Sequence, residues 1–356
     1  MDDSLSRTLK EIKPLANKAI EAARARQDQL TKPKGSLGRL EELSIQIAGI
    51  KGRTIAGFEH KAIITMAADH GVVSEGVTLY PQEVTAQMVS NFLNGGAGIN
   101  VLARFIGARV IVVDMGIARD LPPHSNLICR KIDYGTKNMA QQAAMTPNEA
   151  VRAIEAGIEI VEAEIAKGLD IVGTGDMGIG NTTASSAICA AITGEPIEKV
   201  TGHGTGLDNE QLAHKIKVIE KALKLNKPDP RDPIDVLAKV GGFEIGGLAG
   251  VMLGAAAHHI PVVIDGFISG AAALIATELS PMLKNYLTPA HLSAESGHKV
   301  LLQYLGLTPL LNLEMRLGEG TGAALGMVIV EAAVKTLAQM ATFSQAGVAQ
   351  IEEENK

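Results

Sequence analysis

The sequence predicts an α/β protein built on a doubly wound parallel sheet, and three observations support this prediction. Short apolar runs typical of buried strands alternate with longer segments of helical periodicity. Glycine or an acidic residue follows the predicted strands, as in sheets that bind ligands at their carboxyl ends. The 356 residues are 46% hydrophobic and include 38 glycines, but only 3% are aromatic. A core of small and aliphatic side chains suits helices packed closely on a parallel sheet.

The predicted strands are apolar runs, rich in β-branched residues, that stop at turn-forming or acidic residues. They span residues 61–68, 109–114, 169–172 and 261–264. The first ends at Asp69 and the last at Asp265, while Asp176 lies in the glycine-rich segment after the third. Because the carboxyl ends of parallel strands share one edge of a sheet, we expect these three acids at that edge.

The predicted helices lie before and between these strands. Residues 1–50 have helical spacing, interrupted by KPKGS at residues 32–36. Thr146-Pro147-Asn148-Glu149 is a strong helix start, because it combines capping-box spacing with proline at the first helical position. The helices between strands are predicted over residues 81–93, 99–106, 147–167, 181–192 and 210–225.

The strand pattern implies one large α/β nucleotide-binding domain over residues 55–310. We expect residues 1–54 and 311–356 to form a small helical cap, which contributes the predicted catalytic loop at residues 316–322. One apolar stretch, residues 245–264, has no Asp, Glu, Lys or Arg and is long enough to span a bilayer. Its four glycines, its histidine pair and Pro261 instead favour a buried helix followed by a buried strand.

Charge and cysteine content exclude several classes of protein. A net charge of −6 does not indicate a basic nucleic-acid surface. The two cysteines, Cys129 and Cys189, have no metal or redox spacing and cannot form a disulfide framework, so we expect a reducing cytoplasm. The acidic residues 1–4 lack the apolar region of a signal peptide. We predict no metal and no cofactor.

The segment RLGEGTG, residues 316–322, places one carboxylate, Glu319, between glycines just before an apolar run. Glycine lets backbone approach a ligand closely. A carboxylate beside apolar surface has a raised proton affinity and can act as a base near neutral pH. The alternative is a glycine-rich helix start at which Glu319 only lies near the helix N-terminus, which favours anions.

Two other glycine-rich segments predict anion sites. GTGDMG at residues 173–178 matches the dinucleotide fingerprint between a strand and a helix, although a tight turn without a ligand is the alternative. TGHGTG at residues 201–206 precedes a helix with Lys215 and Lys217. Loop amides and one of these lysines can hold a phosphate. In the alternative interpretation both lysines lie on a solvated face.

Several other polar residues favour structural roles. Asp69-His70 resembles half of a catalytic dyad, but no serine elbow accompanies it. His258-His259 lacks the spacing of metal ligands. Asp265 either binds a sugar hydroxyl or caps the following helix. Ser293 is a plausible N-cap of a helix that begins near residue 291, and this role competes with any ligand contact.

Taken in order, seven motifs resemble those of the nicotinate-nucleotide:dimethylbenzimidazole phosphoribosyltransferases. They cover residues 32 to about 330, which makes the resemblance far more specific than one glycine loop. They are KPKGSLGRLE at residues 32–41, ADHGV at 68–72, GDMGIGNTT at 175–183, VGGFE at 240–244, DGF at 265–267, HLSAE at 291–295 and RLGEGTG at 316–322.

The resemblance implies a reaction in cobalamin lower-ligand assembly. Nicotinate mononucleotide and 5,6-dimethylbenzimidazole would give α-ribazole 5′-phosphate and nicotinate. It also implies a Rossmann-like sheet with a small helical domain, and a homodimer. The family's catalytic base corresponds to Glu319 and its second active-site acid to Asp176, where some members carry glutamate.

The resemblance implies the substrate-binding residues as well. The phosphate and ribose contacts correspond to Gly175, Gly178, Asn181, Thr182, Lys215 and Ser293. The pocket for the attacking base corresponds to Tyr80, Gln87, Met88 and Leu317. Further substrate contacts are expected at Gly204, Asp265, Gly318 and Gly320. Some members have a small polar residue in place of Tyr80 and Gln in place of Met88, so the preferred benzimidazole or purine stays open.

Two other functions remain as alternatives. A nicotinamide-dinucleotide-dependent oxidoreductase would use the fingerprint at residues 173–178 and an acid about 20 residues on, near Glu195. A non-catalytic nucleotide-binding protein would keep both glycine loops but have no use for Glu319 in an apolar pocket. We expect small-molecule substrates as partners, with neither nucleic acid nor a membrane span.

Overall fold

A computed structural model describes residues 4–204 and 206–349, and its central element is a six-stranded parallel sheet. The strands are β1 (Lys61–Ala68), β2 (Ala108–Gly116), β3 (Leu127–Cys129), β4 (Ile171–Met177), β5 (Val262–Ile264) and β6 (Leu287–Pro289). Their order is β3-β2-β1-β4-β5-β6, and neighbouring strands are parallel. The predicted parallel α/β fold is confirmed.

The strand order makes the sheet doubly wound. From the central pair β1 and β4, the chain proceeds outward to β3 on one side and to β6 on the other. Connections that leave in opposite directions open a crevice at the carboxyl ends of the two central strands, and ligands bind there in sheets of this kind. The crevice between the ends of β1 and β4 is therefore the expected position of a site.

Strand β4 is longer than predicted. It pairs with β1 over seven residues, from Lys61 opposite Ile171 to Ala67 opposite Met177, whereas the prediction ended at residue 172. Gly173 and Gly175 are therefore strand residues, because pairing on the sheet outweighs the low strand propensity of glycine. The three-residue strands β3 and β6 were not predicted, since so short a run shows no periodicity.

Helices flank the sheet and connect its strands. They are α1 (Ser4–Glu11), α2 (Asn17–Gln29), α3 (Arg39–Lys51), α4 (Glu83–Leu93), α5 (Gly98–Ile106), α6 (Pro147–Ile165), α7 (Asn181–Thr193), α8 (Ile197–Val200), α9 (Asn209–Asn226), α10 (Pro233–Val240), α11 (Phe243–Ala257), α12 (Phe267–Leu279), α13 (Ser296–Leu305), α14 (Thr321–Gln339) and α15 (Phe343–Ala346). The predicted capping box is present, since the Thr146 and Glu149 side chains each accept the other's backbone N–H.

Glycines allow α6 and α11 to pack at backbone contact. A Cβ atom on Gly157 would lie 1.9 Å from the carbonyl oxygen of Gly247, and one on Gly250 would lie 1.9 Å from that of Ile154. Helix α11 is buried from Phe243 to residue 256 and β5 follows it. The apolar stretch at residues 245–264 is therefore a buried helix and a buried strand, as predicted.

One described helix, α14, is long and apolar enough to cross a membrane by length and composition. Of its most apolar 18-residue window, 56% is buried inside the protein. Burial of this kind is also found in the core helices of soluble proteins, so these properties are weak evidence for a membrane span.

The chain divides into two compact units. The larger comprises residues up to Lys13 together with His60–Met327, and the smaller comprises Pro14–Glu59 and the chain from Val328 onward. The sequence predicts residues 4–13 and 311–327 in the helical cap and residues 55–59 in the large domain, but the first two segments group with the larger unit and the third with the smaller. In the smaller unit, Lys32 Nζ lies 2.7 Å from Glu41 Oε1 in a buried ion pair. The larger unit contains the sheet and the residues around Glu319.

Candidate active site

Three buried acids lie at the carboxyl edge of the sheet, as their positions in the sequence predict. Asp176 is the sixth residue of β4 and pairs with Met66 of β1. Asp69 follows β1 directly and Asp265 follows β5. The exposed fraction is 6% for Asp176, 2% for Asp69 and 0% for Asp265. Carboxylates removed from water in this way need either partners or a chemical role.

The loop that carries Glu319 lies across the ends of β1 and β4. The Glu319 N–H donates to the carbonyl oxygen of Asp176 at 3.2 Å, and its own carbonyl oxygen accepts from Thr65 Oγ1 at 2.9 Å. A Cβ atom on Gly175 would lie only 2.2 Å from that carbonyl oxygen. Gly175 therefore has a structural role, because any side chain there would displace the Glu319 backbone.

The backbone of Glu319 has an unusual conformation. Its φ is +65°, and Gly318 and Gly320 on either side also have positive φ. A left-handed conformation of a residue with a side chain costs roughly 1–3 kcal/mol and persists where the surroundings impose it. The contacts with Thr65 and Asp176 supply that constraint, so the position of this carboxylate is strongly determined.

The Glu319 carboxylate lies at the N-terminus of α5. Its Oε2 accepts the N–H of Ile99 at 3.1 Å, and the backbone of Gly98 also contributes a hydrogen bond. Burial raises the pKa of Glu319 above 4.5, these hydrogen bonds oppose the increase, and the negative charge of Asp265 adds to it. A buried carboxylate with raised proton affinity suits a general base, and the residue is 4% exposed.

Asp176 is held beside the same loop. Its Oδ2 accepts from Asn181 Nδ2 at 2.9 Å. A Cβ atom on Gly318 would lie 3.1 Å from that oxygen, so the two chain segments are in contact. Burial raises the pKa of Asp176 well above 3.8, and the carboxylates of Asp265, Glu244 and Glu319 raise it further. The two predicted catalytic acids therefore belong to one acidic site.

Asp265 holds the helix that follows the Glu319 loop. Its Oδ1 accepts the N–H groups of Gly322 at 2.7 Å and Ala323 at 3.1 Å, and its Oδ2 accepts that of Gly320 at 3.1 Å. Of the two predicted roles the geometry supports capping, but of α14 instead of the next helix, α12. A negative charge at a helix N-terminus stabilises the helix. The Asp265 carboxylate also anchors the Glu319 loop, through the N–H of Gly320.

Gly204, in the second glycine loop (TGHGTG, residues 201–206), lies next to the N-terminus of α7 and to the buried Lys215. Lys215 is 0% exposed, and its Nζ donates to Thr182 Oγ1 at 2.8 Å. A Cβ atom on Gly204 would lie 3.3 Å from that hydroxyl and 3.4 Å from Nζ. Thr205, in the same loop, lies outside the described residues. The solvated-face interpretation is therefore wrong for Lys215 and holds for Lys217, which is exposed.

The electrostatic environment of Lys215 is typical of a lysine that binds an anion. Burial lowers its pKa from 10.5 to about 8, and the nearby Glu295 partly opposes this change. The ammonium is thus still protonated near neutral pH but has few compensating charges around it. An incoming phosphate would supply the missing negative charge.

Ser293 is not the N-cap that its position indicated. Helix α13 begins at Ser296, with Glu295 as its N-cap residue. Ser293 Oγ instead accepts the N–H of Glu295 at 3.3 Å. A Cβ atom on Gly202 would lie 2.2 Å from Glu295 Oε2. The turn from Ser293 to Glu295 therefore contacts the second glycine loop.

A buried pair that we had assigned no active-site role, His70 and Glu244, lies under the turn before α7. Their Nε2 and Oε1 atoms are 2.7 Å apart, and the side chains are 1% and 0% exposed. Burial would lower the pKa of His70, but the Glu244 carboxylate outweighs this and raises it above 6.5. A Cβ atom on Gly178 would lie 2.5 Å from the carbonyl oxygen of Ala68 and 3.4 Å from His70 Nε2. The motifs ADHGV and VGGFE contain this pair, but neither predicts the contact between them.

The expected pocket for the attacking base is more open. Tyr80 and Leu317 are 50% and 61% exposed, Gln87 is exposed and Met88 is half-buried on α4. A Cβ atom on Gly98 would lie 3.0 Å from Leu317 Cδ2 and 3.3 Å from Glu319 Oε2, so Leu317 is next to the carboxylate. Helix α4 is tied to the same region by Thr85, whose Oγ1 accepts the N–H of Ile179 at 3.1 Å.

The geometry does not support the dinucleotide fingerprint. Gly173 and Gly175 lie inside β4, so they do not form the phosphate-binding turn that the fingerprint requires. Glu195, the expected ribose acid, lies in a turn before α8, where it pairs with Lys199 at 2.9 Å. Among the described residues, no group of three or more His, Cys, Asp or Glu side chains is arranged to hold a metal ion.

The buried Glu319 carboxylate lies at the strand-end crevice of a doubly wound sheet, and the buried Lys215 contacts Thr182 at the N-terminus of α7, next to Asn181, which binds Asp176. This arrangement is typical of an α/β enzyme that acts on an anionic small molecule. Known proteins narrow this class. A family model described as "Phosphoribosyltransferase" matches residues 12–348. The chain belongs to the family of nicotinate-nucleotide–dimethylbenzimidazole phosphoribosyltransferases. The oxidoreductase alternative finds no support in these comparisons.

The relatives are similar over nearly their whole length. The enzyme of that name from Desulforudis audaxviator (strain MP104C) is 62% identical over 348 residues, which is 98% of this chain and 99% of the relative. The one from Roseiflexus sp. (strain RS-1) is 62% identical over 344 residues, 97% and 98% of the two chains. The crystal structure of the enzyme from Thermus thermophilus matches with a TM-score of 0.89 and 46% identity, covering 94% of this chain and 99% of that one.

Proposed function

We propose that this enzyme transfers the 5-phosphoribosyl group of nicotinate mononucleotide to 5,6-dimethylbenzimidazole, with Glu319 as the general base. The products are α-ribazole 5′-phosphate, an intermediate of cobalamin lower-ligand assembly, and nicotinate. The observation that carries this proposal is the buried Glu319 carboxylate, whose Oε2 accepts the N–H of Ile99 at 3.1 Å at the strand-end crevice. Family membership supplies the substrates, since the relatives carry them in their names.

The proposed chemistry requires a base and a positioned donor. One oxygen of Glu319 takes the N–H proton of dimethylbenzimidazole while the other ring nitrogen attacks C1′ of the ribose. The bond between C1′ and the pyridinium nitrogen breaks, and its electron pair stays on the departing nicotinate. Attack from the opposite face converts a β-glycosidic bond into an α one. The leaving group departs as a neutral ring nitrogen, so no pyrophosphate charge has to be neutralised.

The remaining residues divide between the two substrates. The phosphate would bind at the buried ammonium group of Lys215. Thr182 and the backbone at Gly204 lie next to that group and would supply further contacts. Asp176 would stabilise, through its negative charge, the positive charge that develops on the ribose in the transition state. Positioning can contribute roughly 7–11 kcal/mol to such a reaction and a general base roughly 10²–10⁴-fold in rate.

The flat base would lie against Leu317, with Tyr80, Gln87 and Met88 as further walls. Leu317 is the best supported of these, since it lies beside Gly98 at the N-terminus of α5. Which heterocycle is preferred depends on the walls at positions 80 and 88. A homodimer in the cytoplasm is part of the proposal, and its support is the family resemblance.

The test is one incubation of the purified protein with nicotinate mononucleotide and dimethylbenzimidazole, analysed by chromatography and mass spectrometry. We expect α-ribazole 5′-phosphate and nicotinate in equal amounts. A parallel incubation with adenine reports the preference for the base. Binding of nicotinate mononucleotide without release of nicotinate would favour the non-catalytic nucleotide-binding protein and reject the proposal.

A further inference from the structure

Two histidines are buried behind the candidate phosphate and ribose contacts. His291 is 2% exposed and His298, on α13, is 0% exposed. Their ring centroids are 6.1 Å apart. One nitrogen of each ring, Nδ1 of His291 and Nε2 of His298, has no hydrogen-bond partner among the described residues. Leaving a buried polar atom unpaired costs about 1–3 kcal/mol, so packing alone does not explain why imidazoles occupy these positions.

The other nitrogen of His298 has a defined partner. Its Nδ1 accepts the backbone N–H of Ser293 at 2.8 Å. Because Nδ1 is the acceptor, the neutral ring carries its hydrogen on Nε2. Burial, assisted by the nearby His291, lowers the pKa of His298 to about 3. The acceptor is therefore present throughout the physiological pH range.

His291 connects the same region to the Glu319 loop. Its Nε2 lies 3.6 Å from Asp265 Oδ1, the oxygen that caps α14. A Cβ atom on Gly322 would lie 2.1 Å from His291 Cδ2. The two imidazoles thus lie between the loop that carries the proposed base and the turn that carries Ser293.

We propose that His298 is a positioning residue, whose Nδ1 holds the turn from Ser293 to Glu295 where the phosphoribosyl group of the donor binds. This inference rests on the proposed function, which places Ser293 among the donor contacts. This turn also packs closely against the second glycine loop, because a Cβ atom on Gly202 would lie 2.2 Å from Glu295 Oε2. Loss of the acceptor at Nδ1 releases the Ser293 N–H and loosens both segments around the donor.

A matched pair of variants separates this role from simple packing. In His298→Asn the side-chain oxygen can occupy the place of Nδ1, whereas in His298→Gln the polar group lies one bond further out, near the place of Nε2. Both substitutions keep a polar, uncharged side chain. We expect the Kd for nicotinate mononucleotide, measured by calorimetry on the full chain, to rise about tenfold in His298→Gln and to stay within about threefold in His298→Asn.

Hydrogen exchange at the Ser293 amide reports the contact directly. It is expected to be faster in His298→Gln and unchanged in His298→Asn. Equal Kd values in the two variants, with or without a loss of thermal stability, would overturn the proposal, because a purely structural histidine would not distinguish them. A wild-type chain that binds nicotinate mononucleotide but forms no α-ribazole 5′-phosphate would reject the proposed function, while the comparison of Kd values would still decide the role of His298.

Discussion

The carboxylate of Glu319 accepts the backbone N–H of Ile99 at 3.1 Å, so the proposed base is held at the N-terminus of a helix. Helix N-termini favour the charged form of a carboxylate, whereas burial favours its neutral form. The two effects oppose each other, and burial dominates, because the pKa of Glu319 is raised above 4.5. The result is a carboxylate that is fixed in position and accepts a proton more readily than an exposed one.

Removal of the base should slow the chemical step. We expect Glu319→Gln to lower kcat by about 10²–10⁴-fold at saturating substrates, since a general base contributes about that much. Glu314→Gln is the matched control, because Glu314 lies in the same segment but is exposed, and its kcat should stay near that of the wild type. A decrease of less than about tenfold in Glu319→Gln would show that the proton goes elsewhere.

The rate should depend on the ionisation of Glu319. Only the carboxylate form accepts a proton, and burial raises its pKa above 4.5. The kcat/KM value should therefore fall as the pH decreases through a value above 4.5 and reach its plateau on the alkaline side of that value. A profile from about pH 3.5 to about pH 8 tests this, because it also covers the ordinary range of a carboxyl group. The residual activity of Glu319→Gln should lack this decrease, and an acid limb at or below the ordinary value would argue against the assignment.

Lys215 should determine the affinity for the nucleotide. A charge-assisted hydrogen bond contributes about 1.5–3 kcal/mol, so Lys215→Met should raise the KM for nicotinate mononucleotide by about 10–100-fold. Lys217→Met, two residues away and exposed, should change it by less than about twofold. Because the pKa of Lys215 is about 8 in the free protein, the wild-type KM should rise as the pH increases through that value. Equal effects of the two substitutions would reject the predicted phosphate site.

The ionised carboxylate of Asp176 should destabilise the folded protein even though it supports activity. Burial raises its pKa well above 3.8, so its ionisation opposes folding, and this cost appears as the pH rises from the unfolded-state pKa through the folded-state one. Asp176→Asn should therefore raise the free energy of unfolding more near pH 8 than near pH 5, while kcat falls. Urea unfolding at both pH values measures this, with the exposed Asp28→Asn as control. A destabilised variant at the higher pH would contradict the sign.

Gly175 should be required for the loop above it. A Cβ atom at this position would lie 2.2 Å from the Glu319 carbonyl oxygen and 2.5 Å from its carbonyl carbon. Gly175→Ala should therefore displace the base, lower the free energy of unfolding by about 1–3 kcal/mol and reduce kcat. Gly57→Ala is the control, since a Cβ atom there has no neighbour within 4 Å. Normal activity in Gly175→Ala would show that the loop tolerates a shift.

The elements with strong local signals were predicted well. Strand β1 was predicted with its observed bounds, and the capping box at Thr146 starts α6 as expected. The extension of β4 through Gly173 and Gly175 was missed, because glycine has low strand propensity and the pairing partner lies about 110 residues away. The N-cap expected at Ser293 was wrong for a related reason, since its N–H and hydroxyl are used by His298 and Glu295.

Neighbouring residues alone predict the alternation of strands and helices, the acids at the strand ends and the glycine-flanked Glu319, because each of these features is local in the chain. The folded chain is needed to show which of the acids share a site and which lysine is buried. The fold also brings Asp265 to the N-terminus of α14, more than fifty residues further along the chain. Burial and charge coupling depend on distances in space, and the folding of the sheet sets those distances.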